Sequence, residues 1–278
     1  MKVILAKSAG FCMGVKRAVQ IALETAESGE PVSTCGPLIH NDQVVADLAG
    51  KGVIAAADCD SVRTGTVILR AHGMPKDEIE KLRGKGLRII DATCPHVVSS
   101  QKIIASYAKQ GYFIVIVGDR SHPEIQSLAS FAPGHHTLIG SSREIDDLPE
   151  LEQAIVICQT TFNKAEYREI SQILKNRIEE CLVFDSICSA TSDRQAEVQE
   201  LSERVDAVVV VGGRNSANTR RLFEIAARSC KIVCHVETAA ELQPAKFTGC
   251  QVVGVTAGAS TPDWITDEVI RKLESFNL

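Results

Sequence analysis

Short apolar runs alternate with segments of helical period along almost the whole chain, and no other feature limits its fold as strongly. Runs of this length suit buried strands, and the amphipathic stretches between them suit crossover helices. The alternation predicts parallel β-sheets in an α/β fold. Strands are expected at Val3–Ala6, Val67–Arg70, Leu87–Asp91, Phe113–Val117, Ala154–Cys158, Leu182–Asp185, Ala207–Val211, Lys231–His235 and Val252–Thr256. Helices are expected at Val15–Thr25, Asp77–Leu82, Ser100–Lys109, Tyr167–Arg177, Gln195–Arg204, Arg221–Arg228 and Thr266–Phe276. PVSTCG, which follows the first of these helices, reads as a poor strand.

Within this rhythm the chain repeats itself. Cys12 in AGFCMGV, Cys94 in DATCPHV and Cys188 in DSICSAT each follow an apolar strand and open a helix. Gly36, Gly118 and Gly212 stand at one common spacing from these cysteines. His40, His122 and Ser216 stand at a second, each at a helix start, with Asp42, Glu124 and Asn218 two positions beyond. Each repeat then runs through another strand to a polar end: His72 in RAHG, Thr160 in CQTT and Ser260 in TAGAS. The chain opens on a cysteine-tipped strand with no helix before it and closes on a helix with no strand after it. The expected organisation is three α/β units, 12–93, 94–187 and 188–278, the last completed by the N-terminal strand 1–11, related by a pseudo-threefold axis. Units of that size hold small cores, so they are expected to pack together.

Composition excludes several functions. The net charge is -5 and only 4% of residues are aromatic. Neither a basic surplus to neutralise phosphates nor a base-stacking platform is available, which argues against nucleic-acid binding. No apolar run approaches the ~18–20 residues of a membrane helix, and MKVILAKSAGFC reads as a core strand and not as a secretion signal. Ten cysteines at irregular spacing, without an export signal, point to a reducing cytoplasm. There cysteines serve metal binding, catalysis or packing, not disulfides. Cys35, Cys59, Cys158, Cys181, Cys230, Cys234 and Cys250 have no counterparts in the repeat and read mostly as small core residues. His135 and His136 read as solvated loop.

Ligands of parallel α/β units gather where strands end and helices begin, and every repeated residue falls at such a point. Three thiolates meeting on the axis fit a 4Fe-4S cluster with one iron left open, or a three-cysteine zinc site with an open position. His40, His72, His122, Thr160, Ser216, Asn218 and Ser260 supply hydrogen-bond donors, several beside helix N-termini that favour phosphate. Neither a Walker A signature nor GxGxxG after a strand is present. Glu124, in SHPEI, is the carboxylate that a dry pocket would convert into a proton donor. Asp42, its counterpart in the first repeat, reads as an ordinary helix residue.

These motifs, AGFCMGVKRAV, GPLIHN, RAHG, DATCP, HPE, QTT, DSICSAT, GGRNSANT and TAGAS, make essentially the whole chain similar to the 4-hydroxy-3-methylbut-2-enyl diphosphate reductase (IspH/LytB) family. The resemblance implies three α/β units around one 4Fe-4S cluster per chain, held by Cys12, Cys94 and Cys188. It implies reduction of the allylic alcohol diphosphate to isopentenyl and dimethylallyl diphosphate in the non-mevalonate pathway, with the substrate hydroxyl at the open iron. Ferredoxin or flavodoxin would supply the electrons. His40, His72, His122, Ser216, Asn218 and Ser260 would bind the diphosphate; Glu124 would donate the proton, with Thr160 in its hydrogen-bond relay. Two departures stand out. Ala217 replaces a serine usual in the family, at the cost of one phosphate hydrogen bond, and the segment from His96 to Gln101 differs from the usual Leu-Val-Thr-Lys-Val-His. The rival readings are a non-catalytic cluster or zinc sensor built on the same thiolates, and a plain α/β module for an acidic metabolite.

Overall fold

The computed structural model describes residues 1–27 and 29–276. Ser28 of the first expected unit and Asn277 and Leu278 of the third lie outside the described residues. The chain forms two compact units, one of Met1–Lys16, His40–Ala46 and Ser189–Leu278, the other of Arg17–Ile39 and Asp47–Cys188.

The first compact unit holds a parallel sheet of β1 (Lys2–Leu5), β10 (Ala207–Val211), β11 (Ile232–Val236) and β12 (Val252–Ala257), in the order β1-β12-β10-β11. The second holds two parallel sheets. One comprises β2 (Val32–Cys35), β3 (Val53–Ala56), β4 (Thr66–Leu69) and β5 (Arg88–Asp91), ordered β3-β2-β4-β5. The other comprises β6 (Phe113–Val117), β7 (His136–Ile139), β8 (Gln153–Cys158) and β9 (Glu180–Val183), ordered β7-β6-β8-β9.

One plan serves all three sheets. The first strand lies between the second and the third, and the fourth lies outside the third and leads to a repeat cysteine. In the sheet of the first compact unit the fourth place is taken by β1, whose Lys2 pairs with Val252 of β12.

β6 and β10 are apolar throughout because helices cover both faces of their sheets. The AVVVV run of β10 is fully buried. Val209 and Val211 face Phe247 and Ile265, Val269 and Leu273 of the helix α9 (Asp263–Glu274). Val208 and Val210 face Val198 of α7 (Ser189–Ser202) and Leu222, Ile225 and Ala226 of α8 (Ala217–Ser229). In the β6 sheet, Ile114 and Ile116 pack on Val97 and Ile104 of α4 (Pro95–Lys109) and on Ile125 and Leu128 of α5 (Pro123–Ala129). Val115 and Val117 pack on Tyr167, Ile170 and Leu174 of α6 (Lys164–Arg177).

The structure corrects the sequence reading at four places. The VSTC segment is β2, a fully buried strand between β3 and β4, despite its polar side chains. Thr34 satisfies its buried hydroxyl on the carbonyl of Gly36 at 2.7 Å. β3 and β7, absent from the expected strands, are four-residue edge strands with exposed or half-buried positions, so little apolar alternation marks them. His136 opens β7 and is half-buried, its Nδ1 2.8 Å from the Ala132 carbonyl oxygen, whereas His135 is exposed. Finally, Cys35 and Cys59 are not independent core thiols but a disulfide, with Cα atoms 5.4 Å apart. Among the described residues no helix is long and apolar enough to cross a membrane.

Candidate functional site

With the second strand on one side of the first and the third on the other, each sheet has its topological switch point between strands one and three. That is where ligands of open α/β sheets bind. The strands concerned are β10 and β12, β6 and β8, and β2 and β4. Their carboxyl ends run into GGRNS and GAS, GDRSH and QT, and GPLIH and AHG, so the repeated polar residues all leave switch points.

In the second compact unit, β6 ends before Gly118. A Cβ there would lie 2.5 Å from Ile125 Cδ1 and 2.9 Å from Gln159 Cβ, so only glycine allows α5 and the β8 end to close this tightly. His122 caps α5, accepting the Glu124 backbone N–H on Nδ1 at 3.1 Å. In the neutral ring the proton therefore sits on Nε2. The His72 ring meets the His122 ring edge-on, with centroids 5.3 Å apart.

Glu124 is only 2% exposed. Its Oε1 accepts the Thr160 N–H at 2.6 Å and its Oε2 accepts the Thr160 hydroxyl at 2.8 Å. Burial raises the carboxyl pKa from 4.5 to about 7, against the opposing pull of the two Thr160 hydrogen bonds. The group is therefore poised to hold and release a proton near neutrality.

In the first compact unit, Ser216 caps α8, its Oγ accepting the Thr219 N–H at 3.3 Å. Asn218, 4% exposed, leaves both its amide oxygen and its amide nitrogen without a hydrogen-bond partner. Such a group at a helix N-terminus needs a polar ligand to offset its desolvation. Ser260 donates its hydroxyl to the His40 carbonyl at 3.1 Å. Gly212 adopts φ +144°, and a Cβ would stand 2.5 Å from Thr261 Oγ1, which keeps the turn after β10 free of side chain.

The three repeat cysteines share one local device. The Cys12 N–H donates to the Ala259 carbonyl at 3.0 Å, that of Cys94 to Ala71 at 2.9 Å, and that of Cys188 to Thr160 at 3.1 Å. Each acceptor is Thr160 itself or the residue just before Ser260 or His72, so every cysteine is tied to a polar strand end. Each is half-buried beside the first residue of a helix: α1 (Met13–Ala26), α4 or α7. The Val15 N–H reaches Cys12 Sγ at 3.5 Å. Soft sulfur donors at three such helix starts suit an iron–sulfur cluster or zinc.

Three contributors escape a reading of the sequence. Asn41, buried, caps α2 (Asp42–Gly50) by accepting the Val44 N–H at 3.1 Å, while Asp42 is exposed. An asparagine just ahead of a helical period is a capping signal, so Asn41 was findable. Arg194 is buried and donates to the carbonyls of Ala190 at 3.0 Å and Gly10 at 2.9 Å, fixing the loop ahead of Cys12. An arginine in an amphipathic helix gives no such signal. Gln101, in the unusual segment after Pro95, donates to Ser127 Oγ at 2.9 Å, and Ser127 donates to the Met74 carbonyl at 3.1 Å, bracing the turn after His72. Ala217 is the first residue of α8 and leaves the Ser216 cap intact.

A family model described as LytB protein matches residues 3–274. The 4-hydroxy-3-methylbut-2-enyl diphosphate reductase of Pelobacter propionicus is 46% identical over 284 residues, covering 100% of this chain and 99% of its own. That of Geotalea uraniireducens is 45% identical over 284 residues, covering 100% and 98%. A solved structure of (E)-4-hydroxy-3-methyl-but-2-enyl diphosphate reductase, the terminal enzyme of the non-mevalonate pathway, is 39% identical, with TM-score 0.71 and 99% of each chain covered. The E-1-hydroxy-2-methyl-but-2-enyl-4-diphosphate reductase from Plasmodium falciparum is 28% identical, with TM-score 0.94, 99% of this chain and 89% of that chain covered. The sheet plan, the switch-point residues and similarity along the full length agree: this chain belongs to the LytB family.

Proposed function

We propose that the chain reduces (E)-4-hydroxy-3-methylbut-2-enyl diphosphate to isopentenyl and dimethylallyl diphosphate, releasing water, as the last reaction of the non-mevalonate pathway. Cys12, Cys94 and Cys188 hold one 4Fe-4S cluster per chain; bound there, the cluster supplies the two electrons, one at a time, from a ferredoxin- or flavodoxin-type donor in the cytoplasm. His40, His72, His122, Thr160, Ser216, Asn218 and Ser260 take the substrate. His122 offers Nε2–H to a phosphate oxygen, and the Asn218 amide finds in the diphosphate the partner it otherwise lacks. Expelling hydroxide from an allylic carbon is slow without a proton, and Glu124 holds one near pH 7. Thr160 fixes both carboxyl oxygens, so the proton leaves from a defined position. The observation that carries this reading is the buried carboxyl of Glu124, held at both oxygens by Thr160; a non-catalytic sensor has no use for it.

The test is anaerobic reconstitution with iron and sulfide, followed by reductase assay with the allylic diphosphate. Glu124→Gln is expected to retain substrate affinity within about threefold while turnover falls by roughly 10²–10⁴. Full turnover in that variant would remove the proton-donor role, and absence of any reductase activity in iron-loaded protein would remove the function.

A further inference from the structure

One pair of sulfurs meets at the carboxyl end of β2, just ahead of the GPLIH segment. Cys35, the last residue of β2, is bonded to Cys59 in the irregular stretch 57–65 between β3 and β4. Both cysteines are buried, 4% and 6% exposed, in a cluster with Val62, Val67, Leu69, Met74 and Leu82. From α3 (Lys76–Gly84), Glu78 Oε2 lies 3.7 Å from Cys59 Sγ. Just past that helix, Lys85 donates to the Cys59 carbonyl at 2.7 Å.

Eight other cysteines, Cys12, Cys94, Cys158, Cys181, Cys188, Cys230, Cys234 and Cys250, are not disulfide-bonded. A permanent disulfide belongs to an oxidising compartment, where so many additional thiols would invite mispairing. One bonded pair in such company is the pattern of a bond that opens and closes. Access fits as well. Cys59 is buried between exposed Asp58 and Asp60, in a stretch outside the sheet ladders, so opening that stretch reaches the sulfur without unfolding the sheet.

We propose that Cys35 and Cys59 form a redox-modification site, a dithiol under reducing conditions that closes to a disulfide by exchange with glutathione disulfide. The thiolate of one cysteine attacks a sulfur of the external disulfide and releases one glutathione thiol. The second cysteine then attacks the mixed disulfide and releases the other. Two electrons pass from the cysteine pair to glutathione disulfide, and the two thiol protons end on the two glutathione thiols. Closure ties stretch 57–65 to the end of β2. That end already donates the Gly36 N–H to the Ala56 carbonyl at 2.8 Å and, through the Leu38 carbonyl, accepts the Ala71 N–H at 3.2 Å, one residue before His72. Its effect on diphosphate binding rests on the reading of His40 and His72 as substrate residues.

The test equilibrates anaerobic, iron-loaded protein in graded ratios of reduced to oxidised glutathione, followed by acid quench, alkylation and peptide mass spectrometry. Hydrogen exchange over 57–65 and affinity for the allylic diphosphate are measured at the two extremes. The expected result is reversible conversion between dithiol and Cys35–Cys59 disulfide, with exchange in 57–65 slowed about fivefold or more on closure. Substrate Kd should shift at least about twofold, and both responses should vanish in Cys59→Ser and Cys59→Ala. A pair that stays dithiol at every ratio, or stays bonded in excess reduced glutathione, overturns the proposal. So does zinc or iron retained by Cys35, Cys59 and Glu78 after desalting. Reversible bonding with the expected exchange change supports it even if the diphosphate binds neither state, an outcome that counts against the diphosphate reading alone.

Discussion

Replacing Glu124 with glutamine tests whether burial raises its proton affinity in the fold. The carboxyl ionises at 4.5 when solvated and at about 7 in the fold, so between these values the folded chain holds a proton that the unfolded chain has lost. Stability from this group is therefore highest below pH 4.5, falls as pH rises, and reaches its floor above pH 7. The gap amounts to about 3 kcal/mol in all, most of it between pH 5 and pH 8. Glutamine accepts the Thr160 N–H on its oxygen and donates to the Thr160 hydroxyl from its nitrogen, which reproduces the protonated acid without titrating. Urea unfolding of both proteins, equally loaded with iron and followed by helical circular dichroism, should give similar midpoints at pH 5. At pH 8 the variant should be ahead by about 2–3 kcal/mol, on the order of 1 M in urea. Parallel pH profiles for the two proteins would refute the assignment of the raised pKa to a desolvated Glu124.

Thr160→Val removes the hydroxyl donor to Oε2 but keeps the backbone donor to Oε1, so Glu124 should titrate above pH 7, read by carboxyl carbon NMR; a lower midpoint would contradict the role of the hydroxyl. Gly118→Ala should cost about 1–3 kcal/mol in urea unfolding, because its Cβ falls 2.5 Å from Ile125 Cδ1, and an unchanged midpoint would show that α5 yields. Cys12→Ser, Cys94→Ser and Cys188→Ser should each lose most iron after anaerobic reconstitution while Cys158→Ser, buried against Ser186, keeps it; equal loading in all four would dissolve the proposed ligand set. Binding of the allylic diphosphate at pH 7.5 should take up protons, because a nearby anion raises the Glu124 pKa further; calorimetry in buffers of different ionisation enthalpy reads this, and zero uptake would separate Glu124 from the diphosphate.

How far the sequence alone reaches depends on what each residue answers to. β6 and β10 were legible because their apolar runs serve helices on both faces, a demand written into every position. β2 was not, since Ser33 and Thr34 are buried in spite of their polarity; the sheet ladder and the Thr34 bond to Gly36 compensate them, and no local pattern records that. β3 and β7 lie at edges, where one exposed flank removes the period. Glu124 and Thr160 could each be singled out from their repeat positions, but the contact between them joins residues 36 apart in the chain. The Cys35–Cys59 bond was misread for a related reason. Inference from compartment excluded a structural disulfide, and only three-dimensional proximity brings these two sulfurs together.

The repeat also explains how one local motif yields different chemistry. A helix start must satisfy its first N–H groups, and the three repeats do so with three acceptors: Asn41, His122 Nδ1 and Ser216 Oγ. Where His122 caps, the acceptor nitrogen is spent on the helix and the remaining nitrogen can only donate. Where Ser216 caps, its oxygen is likewise engaged and its O–H can turn outward. Capping thus consumes acceptors and leaves donors, which is the polarity an anionic substrate requires and a cation would reject. An ionised carboxylate two residues from the His122 donor would compete with an anionic ligand for it and repel that ligand. Burying Glu124 until it keeps its proton near neutrality removes that competitor, and in the proposed reaction it would also provide the proton on which loss of the hydroxyl group depends.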